Sequence, residues 1–433
     1  MRENIVLQFG KYSNYLGTHF WNAQDTYFKE NVDELLIDHH IFYRLNGTSR
    51  KKEIYTPRVL IYDLRNGFGN INKYNESYQL NSEDIEGRKN GLVTEIYESK
   101  KHPIHPFQFS FMDPKSEEIL SSETITSWSD YNMVKYDSRS LHQLLQYDVY
   151  DESFNPFYTF DQGKELFCDI SKENDIFESH FRPFLEECDN IQGITVLTEI
   201  NSGWGGFSSS FLDSIKDEIP KLCIWTFSID TEIDNDVQAL LSLHDTSSIL
   251  SIINKKSGYN HEKINLNSIW HTSAFQSSAI ESLLIPCHSN VNFMSMSDLT
   301  SLINIYSDRK ISYLKMKLEN SLLGWLGLKL ENSIESSLEI FRGDKNQKAI
   351  STVNNFSIST TYYHSTTLPS PKSFPKIFDS LKLSCEALSS SLDTKFLLSS
   401  KKKNYIHKNK SKTCDKEDII NDLDDLIEIY SNE

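Results

Sequence analysis

The sequence predicts an α/β protein built on a parallel, Rossmann-like sheet flanked by helices, and three stretches predict it. The strongest runs from Gln192 to Pro220, QGITVLTEINSGWGGFSSSFLDSIKDEIP. Its first third, Ile194 to Ile200, is β-branched and mostly apolar, as a buried strand is. Asn201 to Gly206 then holds three glycines, and Phe207, Phe211, Leu212, Ile215 and Ile219 recur at helical spacing until Pro220 ends the helix. A further apolar run, Leu222 to Ile229, completes a strand, turn, helix, strand unit, which is right-handed in parallel sheets. The second stretch is Asn4 to Phe9, closed by Gly10 and followed by a helical pattern from Tyr12 to Phe28. The third is Arg58 to Leu64, entered through Pro57 and left through the turn signal Arg65-Asn66-Gly67.

Each junction has a chemical and a structural reading. A helix N-terminus points free N–H groups at the turn before it, where a phosphate would sit. Glycine also makes such a turn with no ligand at all. Neither GxGxxG nor GxxxxGK[ST] occurs in the stretch, which favours the structural use. Asp63 ends the third strand, at the edge where α/β sheets bind ligands.

Composition sets the limits. A chain of 433 residues is long enough for two or three domains, and its 25 Phe and 21 Tyr supply large cores. A net charge of -17 argues against a general nucleic-acid binder and against attraction to anionic lipid. The six cysteines show no C-x-x-C spacing, as expected of reduced thiols. The opening Met1-Arg2-Glu3-Asn4 runs straight into a strand, so no secretory or transit signal is expected and sequons such as Asn46-Gly47-Thr48 carry no meaning. No apolar run approaches the roughly 18 residues of a membrane span, which makes any membrane association peripheral.

The opening MRENIVLQFGKYSNYLGTHFWN and the later PRVLIYDLRNGFGN resemble the first strands and helix of the tubulins. Taken with Asp33 to Arg44, Trp128-Ser129-Asp130-Tyr131 and Glu186 to Gly193 (EECDNIQG), the chain resembles the Misato (DML1) family of tubulin-related proteins from Met1 to about Pro220. That resemblance implies a tubulin/FtsZ-like fold: an N-terminal parallel sheet, a smaller α+β domain and a helical or disordered tail. The implied divisions are residues 1–115, 120–310, 311–388 and 389–433. In tubulins the glycine turn is GGGTGSG and grips GTP phosphates. Here the aligned segment is Asn201-Ser202-Gly203-Trp204-Gly205-Gly206-Phe207, with Trp204 in place of a phosphate-contacting threonine and Phe207 at a glycine position, so the indole and the phenyl ring are expected to plug the phosphate-gripping turn. Lys11 stands where tubulins carry a nucleotide-contacting glutamine, and Arg65 where they carry a glutamate. The catalytic GxxNxD loop has no counterpart in the sequence.

Elsewhere the chemistry is sparse. His102 and His105 lie among prolines with no acid or thiol spaced for a metal, and adjacent His39-His40 diverge on any regular element. Cys188 reads as a packing thiol with no basic neighbour to hold a thiolate. Asn66 to Lys89 reads as a polar surface loop. Leu141, Leu144 and Leu145 after Ser138 predict a helix, as do Phe177 to Cys188, Leu240 to Ile253 and Ser277 to Pro286. Leu314 to Phe341 predicts a longer amphipathic stretch whose Leu322 to Leu328 segment offers Trp325 to a bilayer interface. The tail passes from serines through a lysine cluster to an acidic end, where Ile419, Ile420, Leu423, Leu426, Ile427 and Tyr430 predict an amphipathic helix that docks on a partner.

The leading expectation is a non-enzymatic tubulin-like protein with no cofactor and no catalytic or metal-binding residues. The resemblance implies a role in mitochondrial distribution, morphology and inheritance, in the cytoplasm and at the outer mitochondrial surface, with links to cell division and to tubulin or cytosolic chaperonin subunits. The rival expectation is a GTP-binding switch or weak GTPase whose pocket is Gly10, Lys11, Asn14, Asp63, Gly203, Gly205 and Gly206. A third is a peripheral membrane adaptor using Leu322 to Leu328.

Overall fold

The computed structural model describes residues 2–29, 36–49, 52–71, 103–110, 120–151, 155–230, 237–255, 265–318, 322–326, 330, 334–343, 350–354, 357–376, 383–408 and 414–431. The apolar run Asn4–Phe9 forms β1, and Gly10 turns it into α1, Lys11–Lys29. A hairpin of β2 (Tyr43–Ser49) and β3 (Lys52–Pro57) leads to β4, Val59–Arg65, and then to β5, Leu141–Asp148. Helix α2, Phe160–Glu173, starts in a capping box in which Thr159 and Gln162 satisfy each other's backbone N–H. The central unit follows as β6 (Gly193–Glu199), α3 (Gly203–Glu218), β7 (Ile224–Asp230), α4 (Val237–Thr246) and β8 (Ile249–Asn254). Helices α5 (Ile269–His288) and α6 (Met296–Ile303) precede the strands β9 (Ile311–Leu318), β10 (Leu322–Trp325), β11 (Ser336–Arg342), β12 (Ile350–Asn354), β13 (Ser357–His364) and β14 (Leu383–Ser389). Two helices close the chain, α7 (Ser391–Lys408) and α8 (Cys414–Ile429).

One sheet organises the protein. Among the described residues it has 12 strands in the order β12-β13-β11-β14-β9-β8-β7-β6-β1-β4-β5, with β10 paired to β9. The run from β8 to β5 is parallel throughout, and β9 joins it by a parallel pairing at Leu250 and Ser251 before the antiparallel β14 continues the sheet. Parallel strands must be covered on both faces, and their residues divide accordingly. Val6, Ile61, Leu197 and Phe227 pack towards α1 and α5, while Leu7, Leu60, Val196 and Leu250 pack towards α3 and α4. Helix α5 is buried nearly all round from Trp270 to His288. Three of its serines donate to carbonyls one turn back, Ser273 to Ile269, Ser278 to Ala274 and Ser282 to Ser278.

Several expectations are corrected. Leu141, Leu144 and Leu145 lie on a strand at the end of the sheet, since β5 pairs with β4 and not with a helix neighbour. Leu240 to Ile253 is two elements, because α4 stops at Thr246 and β8 begins at Ile249. The stretch from Leu314 to Phe341 holds strands β9, β10 and the start of β11. Trp325 ends strand β10, half-buried beneath the Lys315 ammonium at 5.5 Å, and Leu326 is fully buried; residues 327–329 lie outside the described set. Phe177 to Cys188 is helical as expected, through a π-turn at Phe177–Phe181 and a short helix at Arg182–Glu186. The tail helix forms, but it docks on its own chain: Leu423, Leu426 and Tyr430 are buried, and the Tyr430 hydroxyl accepts the Ile311 N–H at 3.0 Å. Most of the expected loop at Asn66 to Lys89, together with His102, lies outside the described residues. Among the described residues no helix is long and apolar enough to cross a membrane.

Candidate functional site

The turns that leave β1, β4 and β6 converge at the carboxyl ends of those strands. At the glycine turn Ser202 caps α3, its Oγ accepting the Trp204 N–H at 3.3 Å. The Gly203 N–H donates to the Phe157 carbonyl at 3.1 Å and the Gly205 N–H to the Ser202 carbonyl at 3.0 Å. These three donors of the turn are thus engaged within the chain. Backbone packing accounts for the glycines as well. A Cβ on Gly203 would lie 2.5 Å from the Phe157 ring, and one on Gly205 would lie 2.6 Å from the Ile200 carbonyl oxygen. A Cβ on Gly206 would overlap the Phe160 carbonyl, and one on Gly163 would overlap the carbonyl of Gly203. Helices α2 and α3 therefore meet backbone to backbone.

The β1 to α1 turn is filled by side chains. Gly10 has φ +92, and a Cβ there would come within 2.6 Å of Trp204 Cδ1 and 2.9 Å of Glu199 Oε1. Trp204 is 4% exposed and stands edge-on to Phe157, ring centroids 5.3 Å apart. Glu199 Oε1 accepts the Tyr12 N–H at 2.7 Å, while Oε2 lies 3.0 Å from Lys255 Nζ. The same ammonium is 4.8 Å from the centroid of the Tyr12 ring. The Phe207 ring does not plug this turn, contrary to expectation. It is fully buried among Phe9, Tyr62 and Phe167, where it meets the inner side of Trp204 edge-on at 5.8 Å, while Phe157 is the phenyl ring that shares the cleft wall with the indole.

Asp63 is the buried acid of the site. It accepts from Asn14 Nδ2 at 2.9 Å, from Trp128 Nε1 at 3.1 Å and from the Leu64 N–H at 2.9 Å. Burial outweighs those donors and pushes its carboxyl up to about 6. Arg65 turns away to Asp148, Nε to Oδ2 2.9 Å, where Asn66 also donates.

Between these groups lies a cleft of about 290 Å³ whose walls include Lys11, Tyr12, Asp63, Phe157, Glu199 and Trp204. Of the expected nucleotide contacts, Lys11 and Asp63 line it. Asn14 reaches it only through Asp63, and Gly10, Gly203, Gly205 and Gly206 form the floor behind the indole or the seam between helices. Glu199 and Lys255 escaped the sequence reading. Glu199 ends β6 as Asp63 nears the end of β4, so the signal that singled out Asp63 applied to it equally; no local pattern marks Lys255.

Other candidates resolve to packing. Cys188 does have a basic neighbour, since Arg58 Nη1 lies 3.8 Å from its Sγ, yet burial pushes the thiol up to about 11. His39 stacks on Phe28 at 4.0 Å, and His105 Nδ1 accepts the Phe107 N–H. Among the described residues no three His, Cys, Asp or Glu side chains are grouped to hold a metal.

Comparison with known proteins bears on what this geometry descends from. The Misato Segment II tubulin-like domain matches residues 2–113 and a tubulin domain matches residues 117–289. The similarity thus extends beyond Pro220, where the resemblance read from the sequence ends, and beyond Ile229, past which it is thin. Protein DML1 of Gibberella zeae is 34% identical over 339 residues, 73% of this chain and 68% of that one. The chain belongs to the Misato/DML1 family of tubulin-related proteins. A second DML1 protein, from Aspergillus clavatus, is 37% identical over 302 residues, covering 66% of this chain and 60% of its own length. The DML1 protein of Schizosaccharomyces pombe is 28% identical over 313 residues, 66% of each. The matches therefore span about two thirds of those DML1 proteins or somewhat less. The parallel sheet and buried helix α5 are the tubulin-like frame in which the cleft sits.

Proposed function

We propose that this chain is a non-hydrolysing, tubulin-shaped scaffold that serves mitochondrion organisation by engaging other proteins, tubulin or cytosolic chaperonin subunits among them, in the cytoplasm and at the outer mitochondrial surface. The observation that carries the non-hydrolysing part is the Trp204 indole seated on Gly10. A nucleotide phosphate on that turn would need the space the indole holds and the Tyr12 N–H that Glu199 already occupies. The mitochondrial and chaperonin roles rest on the resemblance to the Misato family. Calorimetry with GTP, with and without magnesium, tests the first part: no saturable heat is expected, and saturable binding overturns it. Affinity capture scored for chaperonin and tubulin subunits, together with imaging of mitochondrial distribution after depletion, tests the second.

A GTP-binding switch built on Gly10, Lys11, Asn14, Asp63, Gly203, Gly205 and Gly206 is the second reading. Its support is the cleft itself, whose 290 Å³ falls just short of the ~300 Å³ at which ligand pockets begin. The same calorimetry decides between the two.

A further inference from the structure

The end of β6 places a carboxylate where the turn of a nucleotide-binding protein would receive an anion. Glu199 Oε1 takes the Tyr12 N–H in the first turn of α1, and Oε2 pairs with Lys255 at the cleft wall. Two features of the α1 terminus that attract an external anion, an outward N–H and a nearby ammonium, are both spent on one internal group. Gly10 is drawn in as well, since Glu199 Oε1 sits 2.9 Å from where its Cβ would be. The pair is not sealed away: the Glu199 side chain is 13% exposed and that of Lys255 27%. A pair so placed is exposed to solvent screening and is open to displacement.

We propose that Glu199 is a built-in phosphate substitute, a latch that keeps the β1 to α1 turn closed to external anions, and that Lys255 is the cation it withholds. The inference deepens the scaffold reading and rests on it, because it names the group that replaces the ligand. Trp204 excludes bulk from the turn, whereas Glu199 excludes charge. A molecule with a phosphoryl group, drawn to the cleft by Lys11, meets the Glu199 carboxylate at the turn and finds the turn's donor taken. Removing the carboxylate frees Lys255 and the Tyr12 N–H together, at the edge of a cleft with room for a small tetrahedral anion.

Inorganic phosphate is the probe, titrated by calorimetry into the full chain and its variants. Glu199→Ala is expected to bind phosphate about tenfold or more tightly than the unaltered chain, about 1.4 kcal/mol. Glu199→Gln keeps an acceptor for the Tyr12 N–H but releases Lys255, so a smaller gain is expected from it. Adding Lys255→Met to either variant is expected to return the affinity to that of the unaltered chain. Glu199→Gln, as the isosteric change, carries the test should the alanine variant not fold. Phosphate affinity unchanged in a variant that melts cooperatively overturns the latch, as does a gain that survives Lys255→Met. Saturable GTP binding by the unaltered chain would instead overturn the scaffold reading, so the two failures are distinguishable.

Discussion

Arg342 and Glu281 form an ion pair in the interior, Nη1 to Oε2 2.5 Å, with 0% and 1% of their side chains exposed. The Tyr27 hydroxyl bridges the two, donating to Glu281 Oε1 at 2.5 Å and accepting from Arg342 Nη2 at 2.7 Å. The carbonyls of Thr366 and Thr367 take the remaining guanidinium donors, each at 2.9 Å. Helix α1, helix α5 and strand β11 are thereby tied through one charged cluster. Because all three partners are satisfied, losing either charge leaves the other buried and alone. Glu281→Ala should destabilise the protein by about 3–5 kcal/mol. The double replacement Glu281→Leu with Arg342→Met should cost less than either single change, as measured by urea unfolding.

Asp63 and His180 should bend the pH dependence of stability in opposite directions. Burial raises Asp63 from 3.8 to about 6, so between those values the folded chain holds more protons than the unfolded one and stability falls as pH rises. His180 stacks on His142 with centroids 3.7 Å apart, and burial lowers it from 6.5 to about 4. Over that window the unfolded chain holds the extra proton, so stability falls as pH drops. Unfolding midpoints taken from pH 4 to 7 should lose the Asp63 share of the first slope in Asp63→Asn and the His180 share of the second in His180→Gln, each read as a difference from the unaltered chain, with the other buried histidines His19, His142, His288 and His364 keeping the remainder of the second.

Gly163→Ala tests the backbone seam between α2 and α3. Its methyl would overlap the Gly203 carbonyl, and neither backbone can yield as a flexible side chain can. A loss of about 1–3 kcal/mol is expected, the scale of an overpacked core, measured by thermal unfolding.

Tyr430→Phe should loosen the tail helix. The change removes the acceptor for the buried Ile311 N–H, at a cost of about 1–3 kcal/mol. Faster hydrogen exchange at the Ile311 amide is the expected signature. An unchanged rate would show that α8 is not what holds the start of β9.

The parts of the fold legible in the sequence are those buried on both faces, since an unbroken apolar run needs no knowledge of its neighbours. Strands β1, β4, β6 and β7 and the glycine turn were read on that basis. Strand β5 was misread because Leu141 and Leu144, three apart and in unbroken register with β4, are buried on opposite faces of the sheet. Buried Leu141 and Leu144 with exposed Leu145 then imitate a helical spacing. Strand β9 sits between β8 and β14, so Tyr313, Leu314 and Met316 are all buried and no alternation shows. In the site, Asp63 and Trp204 were legible from the strand end and the altered turn. The Glu199 to Lys255 pair was not, because 56 residues separate its partners and only the packed sheet brings β6 and β8 near α1. Arg342 and Glu281 were hidden for the same reason.

The seam of Gly163, Gly203 and Gly206 changes how such a turn is to be interpreted. A larger residue at Gly163 or Gly206 would force two main chains apart and one at Gly203 would strike the Phe157 ring, so substitution there is penalised with no ligand involved. A glycine cluster after a β-strand can persist through steric demand alone, and its presence is then a record of ancestry and not of occupancy.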